Sequence, residues 1–256
     1  MTEESFRAST QKKLLDQRTS RMAKYSLLFL GKKSRMGLLK FELTNLLFSW
    51  VPGALGLFLR GTFYPRLLGR VGRGVVFGQG VTLRHPHKIR IGENTVIDDY
   101  AVLDAKGEAN DGIWIGANAY IGRNSILSCK EGSIRLDDYC NVSANCMILS
   151  ETEVSLGKYC FLAGNCYLVA GGNHSFDQVS VPIMFQPSYS KGGIKIGEDV
   201  WLGAGAIVLD GVEIGRGSIV GAGSVLTKTL PENSIAVGSP ARRIRARGAA
   251  SQKKRA

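Results

Sequence analysis

The sequence predicts a mainly β protein, a parallel β-helix with an apolar helical extension at its N-terminal end. Three observations predict the β-helix. Branched aliphatic residues recur at every sixth position, as Ile196, Leu202, Val208, Ile214, Val220 and Leu226. A glycine follows four of these six residues, and a small or β-branched residue stands four positions after each of the first five. A period of six belongs neither to an amphipathic helix, with its period of 3.6, nor to a flat strand, with its period of two.

Each position of the six-residue repeat has an expected role. The aliphatic residue points into a three-sided coil, and the small residue fills a narrow interior slot beside it. The glycine after the aliphatic residue is expected to take a positive φ at the turn, because it has no Cβ to clash there. Three repeats then make one coil.

The same phase runs upstream and is interrupted by loops. The upstream aliphatic residues run from Ile91 to Leu168. The small slot is occupied by Thr95, Ala101, Ala119, Ser125, Cys140, Cys146, Cys160 and Cys166. The phase slips briefly near Glu131 and Glu151, and it is broken by a polar insertion at 105–114 and by a long excursion at 172–194. Long loops that project from a regular scaffold commonly carry function.

Charge is concentrated at the two ends of the chain. The net charge is +12, and residues 1–40 and 241–256 each contribute +7, so the middle is near neutral. No basic face interleaved with aromatic residues is evident, so nucleic acid is not an expected partner. An anionic membrane surface suits basic segments better, because each Lys or Arg gains about 1 kcal/mol there.

The five cysteines predict core packing rather than disulfides. Four of them occupy the small interior slot. Their odd number and the absence of a signal-peptide pattern favour a reducing cytoplasm. We therefore expect a cytoplasmic protein at the inner face of the cell membrane.

An uncharged apolar segment spans residues 43–59. It is shorter than the roughly 20 residues that cross a bilayer as a helix, and Pro52-Gly53 interrupts it. One interpretation is a helix–break–helix element lying in one leaflet, with Trp50, Phe63 and Tyr64 near the headgroups. The alternative is a helical hairpin packed on the end of the β-helix or on a neighbouring subunit. Residues 1–70 are thus a basic arm and helical extension, 71–240 the β-helix domain and 241–256 a basic tail.

The chain has three histidines. His85 and His87 form a His-x-His pair, which has too few further ligands nearby for a metal site. His174 lies where the long loop leaves the β-helix, a position that suits a general base near neutral pH. Asp177 is the candidate to orient its ring. A histidine with a purely structural role is the alternative.

Residues 194–244 resemble the C-terminal half of the hexapeptide-repeat acyltransferases. The elements VWLGAGA, VGAGSVLTK and GSPAR carry the resemblance, which is strongest to the branch of maltose, galactoside and polysaccharide O-acetyltransferases. The run FYPRLLGRVGRGVVFGQGVTLRHPHKIRIG is similar to a bacterial subgroup of polysaccharide acyltransferases. The resemblance implies a left-handed coil, an exception to the usual right-handed crossover. It also implies a homotrimer with active sites between subunits.

The resemblance also implies the roles of particular residues. His174 would deprotonate an acceptor hydroxyl that attacks the thioester of acetyl-CoA, with no metal required. The implied coenzyme A residues are Trp201 at the pantetheine groove, Gly203 and Ala204 at the thiol end, and Ala222, Thr227, Lys228 and Arg243 towards the nucleotide. On the acceptor side stand Asn145 and Asp177, with Asn165 as a turn residue.

Three functions follow as hypotheses. The first is an acetyl-CoA-dependent O-acetyltransferase acting on a sugar hydroxyl of a surface polysaccharide or its lipid-linked precursor. The second is an O-acetyltransferase for a small molecule, such as serine or an antibiotic, in which the helical extension only caps the trimer. The third is a trimeric membrane scaffold that keeps the fold without the chemistry.

Overall fold

The computed structural model describes residues 18–31 and 34–248. The chain forms a left-handed parallel β-helix of about eight coils, with a few helices at its N-terminal end. This confirms the predicted fold class. The basic segments at 1–17 and 249–256 lie outside the described residues.

Within the described residues, three α-helices precede the first coil. They are α1 (Arg21–Phe29), α2 (Arg35–Phe48) and α3 (Gly53–Phe63), and single 3₁₀ turns follow at Tyr64–Arg66, Pro86–Lys88 and Ile183–Phe185. The break at Pro52-Gly53 is where the sequence predicts it, and Gly53 has a φ of 66°. Within the described ranges, no helix combines the length and the apolar character that crossing a bilayer requires.

Each coil contributes one short strand to each of three parallel sheets. In chain order the strands are β1 (Arg70–Val71), β2 (Val76–Phe77), β3 (Thr82–Arg84), β4 (Ile89–Ile91), β5 (Val96–Ile97), β6 (Val102–Asp104), β7 (Ile113–Ile115), β8 (Tyr120–Ile121), β9 (Ile126–Cys129), β10 (Ser133–Leu136), β11 (Asn141–Val142), β12 (Met147–Ser150), β13 (Glu153–Leu156), β14 (Phe161–Leu162), β15 (Tyr167–Ala170), β16 (Asn173–His174), β17 (Ser188–Tyr189), β18 (Ile194–Ile196), β19 (Trp201–Leu202), β20 (Ile207–Leu209), β21 (Glu213–Ile214), β22 (Ile219–Val220), β23 (Val225–Leu226), β24 (Ser234–Gly238) and β25 (Ala241–Ala246).

The three sheets are named here by their order along each coil. Sheet A contains β1, β4, β7, β10, β13, β18 and β21; sheet B contains β2, β5, β8, β11, β14, β19, β22, β24 and β25; sheet C contains β3, β6, β9, β12, β15, β20 and β23. The strand β25 runs antiparallel to β24 and closes the C-terminal end. Residues 241–246, predicted to begin a basic tail, therefore belong to sheet B.

The interior is filled as the repeat predicts. The aliphatic residues of the repeat and the small-slot residues are all buried, from Thr95 in the second coil to Ser224 in the seventh. All five cysteines are buried and unbridged. Burial raises the pKa of the Cys129 thiol to about 12, so this thiol stays protonated at neutral pH.

The prediction that the repeat glycine takes a positive φ is wrong. Positive φ angles belong to residues two positions further on, such as Asp199, Gly205 and Gly217. The glycine after the aliphatic residue is needed because the next coil passes too close for a Cβ. A Cβ on Gly203 would lie 2.6 Å from the backbone nitrogen of Ala222, and one on Gly215 would lie 2.4 Å from that of Glu232.

The helices are fixed to the first coil by two buried side chains. His85 donates from its Nε2 to the carbonyl of Leu27 in α1 at 2.9 Å, and burial lowers its pKa. Arg60 in α3 donates from Nε to the carbonyl of Phe77 at 3.0 Å and from Nη1 to that of Val51 at 2.6 Å. The helical extension is thus packed on the end of the β-helix, as one of the two interpretations expects.

Candidate active site

The long loop leaves and rejoins the β-helix through glycine pairs. Gly171 and Gly172 follow β15, and Gly192 and Gly193 precede β18, all with positive φ. A Cβ on Gly193 would lie 2.3 Å from the carbonyl oxygen of Glu153. Just outside these pairs, β16 and β17 form a two-stranded antiparallel neck. The loop therefore projects from the corner between sheets C and A, as predicted.

A buried carboxylate that is not predicted from the sequence holds the neck closed. Asp210, only 6% exposed, accepts the backbone N–H of Lys191 at 2.6 Å and that of Gly193 at 2.9 Å. It also accepts from Nδ2 of Asn173 at 2.8 Å and from the hydroxyl of Ser190 at 3.2 Å. Asp210 follows β20 at a position where the six-residue repeat requires no polar residue. An aspartate at such a position is the sequence signal from which this clamp could be predicted.

The outer part of the loop has its own polar clasp and an apolar surface. The buried side chain of Gln186 donates from Nε2 to the carbonyls of Gln178 and Val181, at 2.9 and 2.8 Å. Around it stand exposed large apolar side chains, namely Phe176, Val179, Ile183, Met184 and Tyr189. An ordered loop with an apolar exterior has the character of a surface that packs against something outside this chain.

His174 lies in this neck, directly after Asn173. Its side chain is half-buried. Its Nδ1 is enclosed and has no hydrogen-bond partner among the described residues. Asp177, the residue predicted to orient the ring, is exposed further out in the loop and makes no hydrogen bond to Nδ1. An enclosed polar atom without a partner costs free energy, and the described residues do not offset that cost at this nitrogen.

Four of the residues implied for coenzyme A lie together on the opposite edge of sheet C. Trp201 is 47% exposed on β19 and stacks on Phe161, with ring centroids 6.4 Å apart. Gly203 and Ala204 follow it in the turn, and Ala222 occupies the same place one coil on. Gly203 already donates its N–H to the carbonyl of Val220 at 2.8 Å. Exposed Ala204 is therefore the better candidate to offer a backbone N–H to a thioester oxygen.

The remaining implied residues lie elsewhere. Thr227 and Lys228 are exposed after β23, at the same corner as His174 and Asp210 but in the seventh coil. Arg243 is exposed on β25, opposite Ala236. Ala204 lies in the turn before β20 and Asp210 follows that strand, so the two residues stand at opposite corners of the sixth coil. Within one chain, the imidazole of His174 is therefore separated from the backbone groups that are predicted to contact the thioester.

The two asparagines of the acceptor side are both turn residues. Asn145 and Asn165 have φ angles of 59° and 62° and occupy the same corner in successive coils. Asn165, expected as a turn residue, has that geometry. Asn145 shares it, and its contact with an acceptor stays a prediction.

The described residues contain no group of three or more His, Cys, Asp or Glu side chains that could hold a metal ion. His85 is committed to the junction with α1 instead. The groups that the described residues present at this site are an imidazole, backbone N–H groups and exposed cations.

Two family models match the repeats. The model of the bacterial transferase hexapeptide (six repeats) matches residues 193–228, and that of the hexapeptide repeat of succinyl-transferase matches residues 112–150. Galactoside O-acetyltransferase of Lactococcus lactis is 42% identical over 80 residues, which cover 29% of this chain and 38% of that protein. A protein of Mycobacterium tuberculosis with an acetyltransferase name is 32% identical over 133 residues, 52% of this chain and 44% of that protein. The chain spans less than half the length of these relatives.

Solved structures share the fold. The polysialic acid O-acetyltransferase OatWY superposes with a TM-score of 0.55 at 19% identity, covering 70% of this chain and 86% of that one. The N-acyltransferase AntD from Bacillus cereus, in complex with dTDP and 3-hydroxybutyryl-CoA, gives 0.50 at 24% identity, with 78% and 91% covered.

The chain is thus a left-handed β-helix protein, and its residues 193–228 match the hexapeptide repeats of bacterial transferases. Its matched segments are similar to acetyltransferases, among them a galactoside O-acetyltransferase.

Proposed function

We propose that the protein is an O-acetyltransferase that moves the acetyl group of acetyl-CoA to a sugar hydroxyl, in a surface polysaccharide or its lipid-linked precursor. The observation that carries the proposal is the half-buried imidazole of His174, held in a clamped neck with one nitrogen unpartnered. The similarity to a galactoside O-acetyltransferase supports the choice of acceptor.

In the proposed reaction His174 accepts the proton of the acceptor hydroxyl through Nε2. The oxygen attacks the thioester carbonyl, and the negative charge on the carbonyl oxygen is met by a backbone N–H, for which Ala204 is the candidate. Collapse of the tetrahedral intermediate breaks the carbon–sulfur bond, and the imidazolium returns its proton to the thiolate of coenzyme A. A positioned base of this kind contributes about 10²–10⁴ in rate.

The separation of His174 from Ala204 supports a site shared between two copies of the chain. A backbone donor acts on an oxyanion only within about 3 Å, and these residues lie at opposite edges of sheet C in one chain. The outward side chains of five adjacent strands of sheet C are apolar and half-buried, in register as Ile126, Met147, Tyr167, Ile207 and Val225. The corresponding outward positions of sheet A are mostly polar, with Arg90, Arg135, Ser155 and Lys195 in register with one aromatic residue, Trp114. We propose that sheet C faces the neighbouring subunits of a homotrimer.

The predicted coenzyme A corner fits an extended thioester arm. Ala204, Gly205, Ala222 and Gly223 leave the turns of two coils without bulky side chains, and no atom comes within 4 Å of a Cβ built on Gly223. Exposed Trp201 forms one wall of this smooth surface. Arg243, exposed on β25, is the candidate cation for the phosphates, whereas Lys228 lies at the opposite corner, between sheets C and A.

The test is release of coenzyme A from acetyl-CoA, followed with a thiol reagent and a panel of acceptors. All five cysteines are buried, so the protein contributes little background. We expect His174→Ala to lower kcat by about 10²–10⁴ while His87→Ala, the matched histidine control, stays near the parent. Equal rates for His174→Ala and the parent would remove His174 from the mechanism.

The same panel separates the alternatives. Turnover with serine or an antibiotic, and none with glycans, would replace the sugar acceptor by a small molecule. Failure to bind coenzyme A in calorimetry would leave the scaffold hypothesis standing.

A further inference from the structure

We propose that α2 and α3 form a docking surface for an anionic lipid leaflet, and that the protein binds there without crossing it. The outward face of α2 carries large apolar side chains at helical spacing, namely Met36, Leu39, Leu43, Leu46 and Leu47, and Trp50 continues this row just beyond the end of the helix. Their exposed fractions lie between 45% and 77%. An apolar stripe at positions i, i+3 and i+7 needs an apolar partner, and the described part of this chain supplies none.

The stripe continues onto α3. Leu55, Leu57 and Phe58 are exposed by 64%, 43% and 70%. The two helices are joined at their base by Phe48 and Phe63, whose rings stack with centroids 4.2 Å apart. This docking surface, α2 and α3 together, is too large to be a set of isolated surface apolar residues, which soluble proteins tolerate singly.

The charge around the docking surface selects a lipid partner. Residues 18–73 contain eleven Lys or Arg and one carboxylate, Glu42, and that carboxylate accepts the hydroxyl of Tyr25 at 2.5 Å. Exposed Arg35 and Lys40 lie on α2, and Lys40 donates to the carbonyl of Arg66 at 2.7 Å. A second copy of this surface would bring cations against cations, whereas anionic headgroups match them.

The docking surface is held rigidly. Arg60 bonds to the carbonyls of Phe48, Val51 and Phe77, which fixes the turn between α2 and α3 on the first coil. A preformed surface loses less entropy on binding than a segment that must first fold. Since the helices are too short to span, the binding is interfacial, and the anionic cytoplasmic leaflet is the surface that attracts polybasic elements.

The experiment is flotation of the full chain with vesicles of phosphatidylglycerol in phosphatidylcholine, and with phosphatidylcholine alone. We expect binding to the anionic vesicles that weakens with added salt. Leu43→Gln/Leu46→Gln/Trp50→Gln should lower that affinity by about tenfold or more. Ile244→Gln, which removes an equally exposed apolar side chain at the other end, should bind like the parent.

A second readout keeps the test independent of folding defects. In Trp114→Phe/Trp201→Phe, Trp50 is the one remaining tryptophan, and its emission should shift to the blue on vesicle addition. Parent protein that stays unbound with unshifted Trp50 emission overturns the proposal. The proposal is also overturned if the parent forms an oligomer that is lost in the triple variant and the parent does not bind vesicles. A second copy of the chain would then occupy the docking surface. Neither result bears on the proposed O-acetyltransferase function, because acetyl transfer to a soluble acceptor is measured without vesicles.

Discussion

At the scale of single residues, the turns decide which side chains the β-helix tolerates. Each corner between sheets B and C in the first seven coils holds one residue with positive φ: glycine at 80, 205 and 223, asparagine at 124, 145 and 165, and tyrosine at 100. The left-handed conformation costs most residues about 1–2 kcal/mol, and asparagine is among the few that adopt it routinely. Conformation alone therefore accounts for an asparagine at each of these positions.

The matched pair Asn145 and Asn165 gives a prediction for these turns. Alanine at either position should lower the free energy of unfolding by about 1–2 kcal/mol, and glycine should stay within about 0.5 kcal/mol of the parent, because it relieves the strain at an entropic cost. Chemical denaturation of the four single variants measures this. A stable alanine variant would contradict the turn role.

The same glycine variants examine the acceptor contact implied for Asn145. Both keep the turn, and each removes one amide. A KM for the acceptor that rises with Asn145→Gly and stays unchanged with Asn165→Gly would mean that the amide of Asn145 touches the acceptor. Unchanged KM values in both would reduce Asn145 to its turn.

At the scale of elements, the sequence predicts what repeats and misses what is unique. The phase of the aliphatic residues places sheets, corners and the exit of the long loop, because one residue type every six positions leaves one way to bury them. The repeat glycine has a different cause from the one expected. Its need arises from the neighbouring coil, such as Ala222 beside Gly203, and a contact between coils cannot be read from local turn chemistry.

The long loop shows the same limit. The break in the six-residue phase predicts the loop and makes its histidine a candidate, but it does not predict the clamp at Asp210. Asp210 lies 36 residues beyond His174 in the chain and meets Asn173 only because two coils stack. Likewise, the apolar segment at 43–59 predicts helices. The hydrogen bonds by which Arg60 and His85 hold the helical extension to the first coil are visible only in the structure.

Asp210→Asn tests the clamp. An amide presents its own N–H₂ to some of the donors that the carboxylate accepts, and each buried donor left unpaired costs about 1–3 kcal/mol. We expect trypsin to cut after Lys191, the one Lys or Arg between 171 and 193, about tenfold faster or more. The rate of acetyl transfer should fall with it.

The control for this clamp is Asp199→Asn. Asp199 is an exposed carboxylate that pairs with Arg247 at 2.7 Å, so its loss should change neither cleavage nor turnover. Unchanged cleavage of Asp210→Asn would show that the neck does not depend on the carboxylate.

At the scale of the whole molecule, the docking surface and His174 lie at different heights on the β-helix. The helices pack on the first coil, and the long loop leaves the fifth. With about 4.8 Å per coil, the two are about 20 Å apart along the axis. If both proposals hold, the acceptor sugar must stand off the leaflet by a similar distance, which fits a glycan chain on a lipid better than a free small molecule.

Mixing two inactive variants tests whether the site spans two copies. His174→Ala keeps the coenzyme A corner, and Ala204→Trp, which blocks that corner, keeps the imidazole. In a randomly assembled trimer of equal parts, about one quarter of shared sites combine an intact imidazole with an intact corner. We expect co-expression to restore about a quarter of the parent activity for that reason. The double variant mixed equally with the parent is the matched control: about a quarter of sites survive if they are shared, and about half if each chain holds its own. No recovery in the first mixture together with one half in the second would place imidazole and thioester within a single chain.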